Sequence, residues 1–134
     1  MFESSDWMAA SFPLLLAVVL ASLTTARSKG NDAAIQSELS NMRAQAELYY
    51  SSTGNGSYGA DNIDCTAMFA APTGLKTLVD DLKIKAGSGN VACTVAGTGA
   101  SWAVSAKTSG GYWCSDSTGK SASSSSSVAS GVCH

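Results

Sequence analysis

The sequence predicts an α+β protein: a long N-terminal helix packed on a small antiparallel β-meander, with a C-terminal loop stapled by a disulfide. Three observations predict this class. Residues 8–23 are apolar almost without interruption and continue into an amphipathic helical pattern. Beyond Gly87 the apolar residues instead alternate with small or polar ones, as in strands. All four cysteines lie between residue 65 and the C-terminus among Gly, Ser and Thr, which is typical of disulfide-stabilised domains in oxidising compartments.

The composition limits the size and the partners of the protein. A chain of 134 residues with 45% hydrophobic and 13% charged residues has room for one domain and is not of the disordered type. The net charge of −2 and the scattered basic residues form no phosphate-binding stripe. We therefore expect no direct nucleic-acid binding by the monomer.

The first element is a helix whose N-terminal half, residues 1–30, is unsuited to water. A single helix over residues 8–50 would be roughly 60 Å long, about twice the hydrocarbon thickness of a bilayer. We expect the apolar half to need a membrane or copies of the same chain. The residues expected to form this assembly helix are Phe12, Leu14, Leu15, Leu16, Val18, Val19, Leu20 and Leu23.

A cleaved secretory signal is the alternative interpretation of the same segment. Thr24, Thr25 and Ala26 would then form a small-residue cleavage site. Signal peptides carry positive charge ahead of the apolar run, however, whereas the leading charges here are the acids Glu3 and Asp6. We therefore favour the retained helix.

The remaining residues, 31–134, are predicted to form a globular head. Gly30 is a plausible site for bending or local unwinding where the helix enters it. The predicted order is helix 31–50, loop 51–90, sheet 91–116 and C-terminal loop 117–134, with a short helix at 72–82 inside the loop. One face of helix 31–50 is apolar and consists of Ile35, Leu39, Met42, Ala46, Tyr49 and Tyr50.

The predicted sheet has three antiparallel strands joined by glycine turns. Val91, Cys93 and Val95 alternate in the first strand, residues 102–106 alternate in the second, and residues 112–115 form the third. We expect one face of the sheet to cover the helix, and the serine run 123–127 to be a surface loop tethered by Cys133. The expected helix–sheet core comprises Ile35, Leu39, Met42, Tyr49, Trp102 and Val104.

No catalytic, cofactor-binding or metal-ligating constellation is predicted, and we do not expect an enzyme. The lone histidine, His134, is the last residue, and no Gly-x-Ser-x-Gly motif is present. Asp80 and Asp81 are expected to be solvated residues on the polar side of a short helix. We expect Asp116 to stabilise a turn through its side chain rather than to bind calcium.

In this order the segments resemble the type IV pilins and pseudopilins. The resemblance rests on AVVLASL at 17–23, ARSKGND at 26–32, LSNMRAQAELYY at 39–50 and YWCSDSTG at 112–119. It spans roughly residues 14–119. The first thirteen residues depart from the leader motif of that family, so no residue inherits its helix-start glutamate.

The resemblance implies the structural subunit of an extracellular helical filament. Such a subunit is held in the inner membrane before assembly, polymerises with copies of itself through its apolar helix, and depends on a pilus assembly machinery. The alternative is a secreted or membrane-anchored binding domain that does not polymerise.

The four cysteines allow three pairings. We predict Cys65–Cys93, which would tie the loop after the long helix to the first strand. Cys114–Cys133 would then close the serine loop.

Overall fold

The described residues form one long helix, two short helices and a four-stranded antiparallel sheet. The computed structural model describes residues 2–59, 65–70 and 75–134, with side chains from Leu16 onward. It confirms the α+β class, the long N-terminal helix, the antiparallel sheet and the presence of disulfides. The elements are α1 (Phe2–Ser51), α2 (Thr66–Ala70), α3 (Leu75–Ala86), a 3₁₀ turn (Ser88–Asn90), β1 (Val91–Ala96), β2 (Ser101–Thr108), β3 (Gly111–Asp116) and β4 (Ser121–Ser124).

Helix α1 is continuous over 50 residues, about 75 Å at the usual rise per residue. The helix does not unwind at Gly30, where the sequence suggested a joint. A side chain at that position would meet nothing within 4 Å, and the next two residues are hydrogen-bonded to the head. These bonds favour the helical conformation on the C-terminal side of the glycine.

The second half of α1 packs on α3 and on the sheet through one apolar face. Ile35, Leu39, Met42 and Ala46 of this face are fully buried, and Tyr49 is nearly so. Trp102 and Val104 of β2 are buried in the same cluster. All six residues expected in the helix–sheet core therefore lie together, where burial of each large apolar side chain contributes about 1.5–3 kcal/mol.

Tyr50 departs from the expected buried face. It is 36% exposed, and its ring lies 4.7 Å from that of Tyr58. A rotation of about 100° per residue turns Tyr50 away from the face that Tyr49 occupies.

The predicted loop 51–90 contains two helices, of which α3 was expected and α2 was not. The short helix expected at 72–82 corresponds to α3, which begins at Leu75 and ends at Ala86. Residues 60–64 and 71–74, including the proline expected at the helix start, lie outside the described residues. Buried Leu75, Val79 and Leu82 recur at helical spacing and attach α3 to the core.

The sheet has the strand order β1-β2-β3-β4, with every neighbouring pair antiparallel. Strand β2 is buried on both faces. Its successive side chains point to opposite faces of the sheet, and each face is covered by another part of the chain. Trp102, Val104 and Ala106 face the helices, whereas Ala103 and Ser105 belong to the opposite face.

The C-terminal segment covers that opposite face, which the sequence had not predicted to be covered. The backbone N–H of Val128 donates to the Ser105 hydroxyl at 2.8 Å, and Val128 packs against the small cluster of Ala103, Cys114 and Cys133. The head is therefore layered as helices, sheet and C-terminal segment.

The serine run is a correction to the predicted three-stranded sheet. Ser123 and Ser124 belong to β4, a fourth strand that pairs with β3 with Ser123 opposite Trp113. Serine is not a strong strand former, but the unpaired backbone of β3 supplies hydrogen-bond partners.

The described cysteines are all paired. Cys65, directly before α2, is bonded to Cys93 of β1 within the main core. Cys114 of β3 is bonded to Cys133 and holds the C-terminal segment on the sheet. Both pairings are those expected from the sequence.

Candidate assembly surface

The N-terminal half of α1 projects from the head with its side chains in solvent. Every described side chain from Leu16 to Gly30 is exposed. Five expected assembly residues lie in this stretch, while the side chains of Phe12, Leu14 and Leu15 fall outside the described residues. The exposed fractions are 49% for Leu16, 63% for Val18, 56% for Val19, 59% for Leu20 and 56% for Leu23.

Four of these five apolar side chains share one face of the helix. At about 100° per residue, Leu16, Val19, Leu20 and Leu23 fall within an arc of about 100°, whereas Val18 points to the opposite side. An apolar stripe of this width is normally buried against another element, and here it is exposed. Among the residues whose side chains the structure describes, no helical segment is long and apolar enough to cross a bilayer.

Two threonines extend this surface towards the head without adding free polar groups. The hydroxyls of Thr24 and Thr25 donate to the carbonyl oxygens of Leu20 and Ala21, each at 3.0 Å. Bonding to the carbonyl four residues earlier satisfies a hydroxyl inside its own helix. Threonine methyl groups remain available for apolar contact at these positions.

We call the place where α1 enters the head the neck; it comprises residues 27–32 of α1, the end of α3 and the β2–β3 turn. Asn31 donates from Nδ2 to the carbonyl oxygen of Lys85 at 3.0 Å. Asp32 accepts from the backbone N–H of Ser109 at 2.9 Å and from the Ser109 hydroxyl. These contacts fix the direction in which the exposed helix leaves the head.

An ion pair between Glu38 of α1 and Lys85 of α3 reinforces the neck. The hydrogen bond to Glu38 raises the pKa of Lys85 against the opposing effect of burial. Only 13% of the Glu38 side chain is exposed. A contact so shielded from water costs more to break than a surface pair, because it would leave a charge partly buried.

The neck also forms an open cleft of about 250 Å³. Its lining is polar and includes two lysines. The lining residues are Ser28, Asn31, Asp32, Lys85, Ala86, Lys107, Thr108 and Ser109. None of these residues was predicted to be functional from the sequence, since their proximity depends on how α1, α3 and the β2–β3 turn pack.

Asp116 organises the turn after β3, as expected, and also holds the C-terminal segment. Its Oδ1 accepts from the Thr118 N–H at 2.9 Å, the Thr118 hydroxyl at 2.6 Å and the Lys120 N–H at 3.2 Å. Its Oδ2 accepts from the Cys133 N–H at 2.8 Å. Burial raises the pKa of this carboxyl, but these hydrogen bonds outweigh burial and lower it below its usual range.

Tyr58 joins the loop after α1 to the helix. Its hydroxyl donates to Glu47 at 2.6 Å, and its backbone N–H donates to the Gly99 carbonyl oxygen at 2.9 Å. Burial and then the hydrogen bond to Glu47 raise the pKa of Tyr58 well above its usual value. Gly99 itself is crowded, since an added Cβ would lie 1.9 Å from the Ser57 hydroxyl oxygen.

The described side chains contain no group of three or more His, Cys, Asp or Glu residues that could hold a metal. Asp80 forms an exposed ion pair with Lys76 at 2.6 Å, in line with a solvated position, and Asp81 is exposed. His134 contacts the hydroxyl of Ser130 at 2.9 Å, but this pair is exposed at the end of the chain.

No protein-family model, curated protein sequence or solved structure matches this chain.

Proposed function

We propose that this chain is the structural subunit of an extracellular helical filament of the type IV pilus kind, polymerising through the N-terminal half of α1. One observation carries the proposal: an apolar half-helix, exposed on all sides, projects from a head whose own core is already filled. Five half-exposed Leu and Val side chains represent roughly 5 kcal/mol of burial not used within the subunit. Association with lipid or with other helices would recover it.

The sequence of the helix supports a membrane-held stage before assembly. No Asp, Glu, Lys or Arg occurs between Asp6 and Arg27. These twenty uncharged positions correspond to about 30 Å of helix, the thickness of the hydrocarbon layer. The internally bonded hydroxyls of Thr24 and Thr25 suit such an environment.

Transfer from membrane to filament is energetically feasible for such a helix. Helices from neighbouring subunits replace lipid as the apolar surroundings, so little hydrophobic free energy changes and van der Waals packing favours association. The head remains outside this core as the outer surface of the filament.

The disulfides support a location outside the cytoplasm for the head. Cys65–Cys93 and Cys114–Cys133 account for all four cysteines, and such bonds persist in oxidising compartments. The proposed partners are copies of this chain, the inner membrane before assembly and a pilus assembly machinery. We propose neither enzymatic activity nor direct nucleic-acid binding by the monomer.

Electron microscopy of the full chain purified from its native membrane or cell surface tests the proposal. We expect filaments of uniform width with helical symmetry and with intact α1 in every subunit. N-terminal sequencing of the same material is the control. Dispersed monomers would contradict the filament and favour an anchored binding domain, and a mature chain beginning near Arg27 would establish a cleaved signal.

A further inference from the structure

Basic residues concentrate at the neck although the chain as a whole is acidic. Four of the eight Lys and Arg residues lie on the parts of α1, α3 and β2 that meet there. They are opposed by three acids, Asp32, Glu38 and Asp81, which leaves a local charge of +1 on a chain of net charge −2. The four bases are Arg27, Lys29, Lys85 and Lys107.

Two of these acids are committed to contacts inside the protein. Asp32 is held by the β2–β3 turn, and Glu38 is paired with the end of α3. Arg27, Lys29 and Lys107 are exposed, and none of them forms an ion pair with a described residue. Three cations at the neck are therefore available to an external anion.

The height of the neck along α1 places these cations beside lipid headgroups if the uncharged segment spans the bilayer. Asn31 lies five residues beyond Ala26, about 7.5 Å along the helix axis. The headgroup layer is about 5–7.5 Å thick on each side of the hydrocarbon. Because Asn31 is bonded to the Lys85 carbonyl, the end of α3 lies at the same height.

We propose that the neck binds anionic phospholipid in the leaflet facing the head, a proposal that rests on the membrane-held stage proposed above. The cleft of about 250 Å³ has room for one phosphate group, with Lys107 as its cation and the hydroxyl of Ser28 and the amide of Asn31 as polar neighbours. Arg27 and Lys29 contact adjacent headgroups from the helix. Charge complementarity and continuity with the apolar helix favour this occupant.

Bound lipid would orient the subunit before it polymerises. The helix alone allows the head to tilt relative to the membrane surface. Headgroup contacts on the cleft side of α1 restrict this tilt, and they are released when the helix leaves the membrane.

Lysine reactivity of the full chain in vesicles tests the proposal. The chain is reconstituted into phosphatidylcholine vesicles with or without phosphatidylglycerol, and outward-facing heads are labelled with an amine-reactive reagent and analysed by mass spectrometry. An anionic leaflet attracts one nearby lysine with about 1 kcal/mol, which favours the lipid-bound lysine over the free one about fivefold. We therefore expect Lys107 to react about fivefold more slowly when phosphatidylglycerol is present. High salt should abolish the difference. Lys76, exposed at the opposite end of α3 from the neck, is the internal control and should not change.

Matched variants extend the test to lipid retention. Lys107→Gln should lower the amount of phosphatidylglycerol that co-purifies with the chain in neutral detergent. Lys76→Gln removes one positive charge as well, but it should leave the amount of bound phosphatidylglycerol unchanged. Equal Lys107 reactivity in both vesicle types, or equal loss of lipid in both variants, would overturn the proposal. Equal protection by inorganic phosphate in neutral vesicles would overturn it as well, since the cleft would then be a general anion site.

Two further outcomes separate this inference from the proposed function. A chain that floats with both vesicle types but shows unchanged Lys107 reactivity overturns lipid binding and leaves membrane insertion standing. A chain that floats with neither overturns both. If Lys107→Gln blocks filament formation but lipid retention is normal, the neck contacts another copy of the chain and the lipid proposal is wrong.

Discussion

Replacement of Leu16 by Asp gives the most direct test of the filament core. Leu16 lies at the centre of the uncharged segment 7–26 and is 49% exposed in the isolated subunit. A carboxylate at the centre of an apolar helix costs about 2.5–3.5 kcal/mol, and loss of the leucine adds about 0.3–0.6 kcal/mol. A total of about 3–4 kcal/mol lowers the association constant by two to three orders of magnitude.

The matched control is Leu48→Asp on the same helix. Leu48 is 55% exposed and lies in the half of α1 that packs on the head, so the same substitution there adds a solvated charge. Both variants should keep the head folded, as checked by circular dichroism and disulfide mapping. Assembly is measured by sedimentation and electron microscopy after the detergent is removed. Normal assembly of Leu16→Asp, or equal damage by Leu48→Asp, would refute the reasoning.

Three further predictions concern the head. Asp116→Asn should lower the free energy of unfolding by about 2–3 kcal/mol in urea titrations, because an amide leaves the buried Cys133 N–H unpaired. The pKa of Asp116 is lowered in the folded state. The stabilisation by its carboxylate should therefore be complete above the unfolded-state pKa of about 3.9 and should be lost as the pH falls through the folded-state pKa. A difference in unfolding free energy between parent and variant that stays the same in acid would contradict this. Tyr58→Phe should remove from a spectrophotometric titration a tyrosine that ionises above the usual tyrosine pKa, because the Tyr58 hydroxyl is buried and bonded to Glu47. An unaltered titration would count against that environment. Replacing Cys114 and Cys133 by Ser should cost about 3 kcal/mol and increase hydrogen exchange at Val128, whereas Val128 protected as in the parent would show that the segment docks without its disulfide.

The long helix and its packing face could be predicted from the sequence because the signals are local. A continuous apolar run followed by spacing of three and four residues defines α1 over most of its length. The alternation around Val104 likewise indicates a strand whose side chains face two ways. The turn at Asp116 follows from the tendency of aspartate to accept hydrogen bonds from the backbone just after it.

The parts that sequence reasoning missed depend on contacts between distant segments. Strand β4 consists of Ser and Ala and is specified by pairing with β3 rather than by its own pattern. No pattern in the sequence around Ser105 indicates that the C-terminal segment packs over this residue. The neck needs Asp32 and Ser109, 77 residues apart, and no spacing rule relates them. Gly30 was misread because a glycine weakens a helix only slightly where its neighbours are fixed by the rest of the fold.

The short strand β4 has a consequence for how copies of the head meet. A sheet exposes unpaired backbone groups along its edge strands, and a long apolar edge strand tends to add strands from other molecules. The β4 edge consists of four residues, three of them serines, and two of these serines are exposed. So short and polar an edge offers little template for strand addition between heads. Strand addition through the β4 edge is thereby disfavoured, and crowded heads can lie side by side there without fusing into β-aggregates.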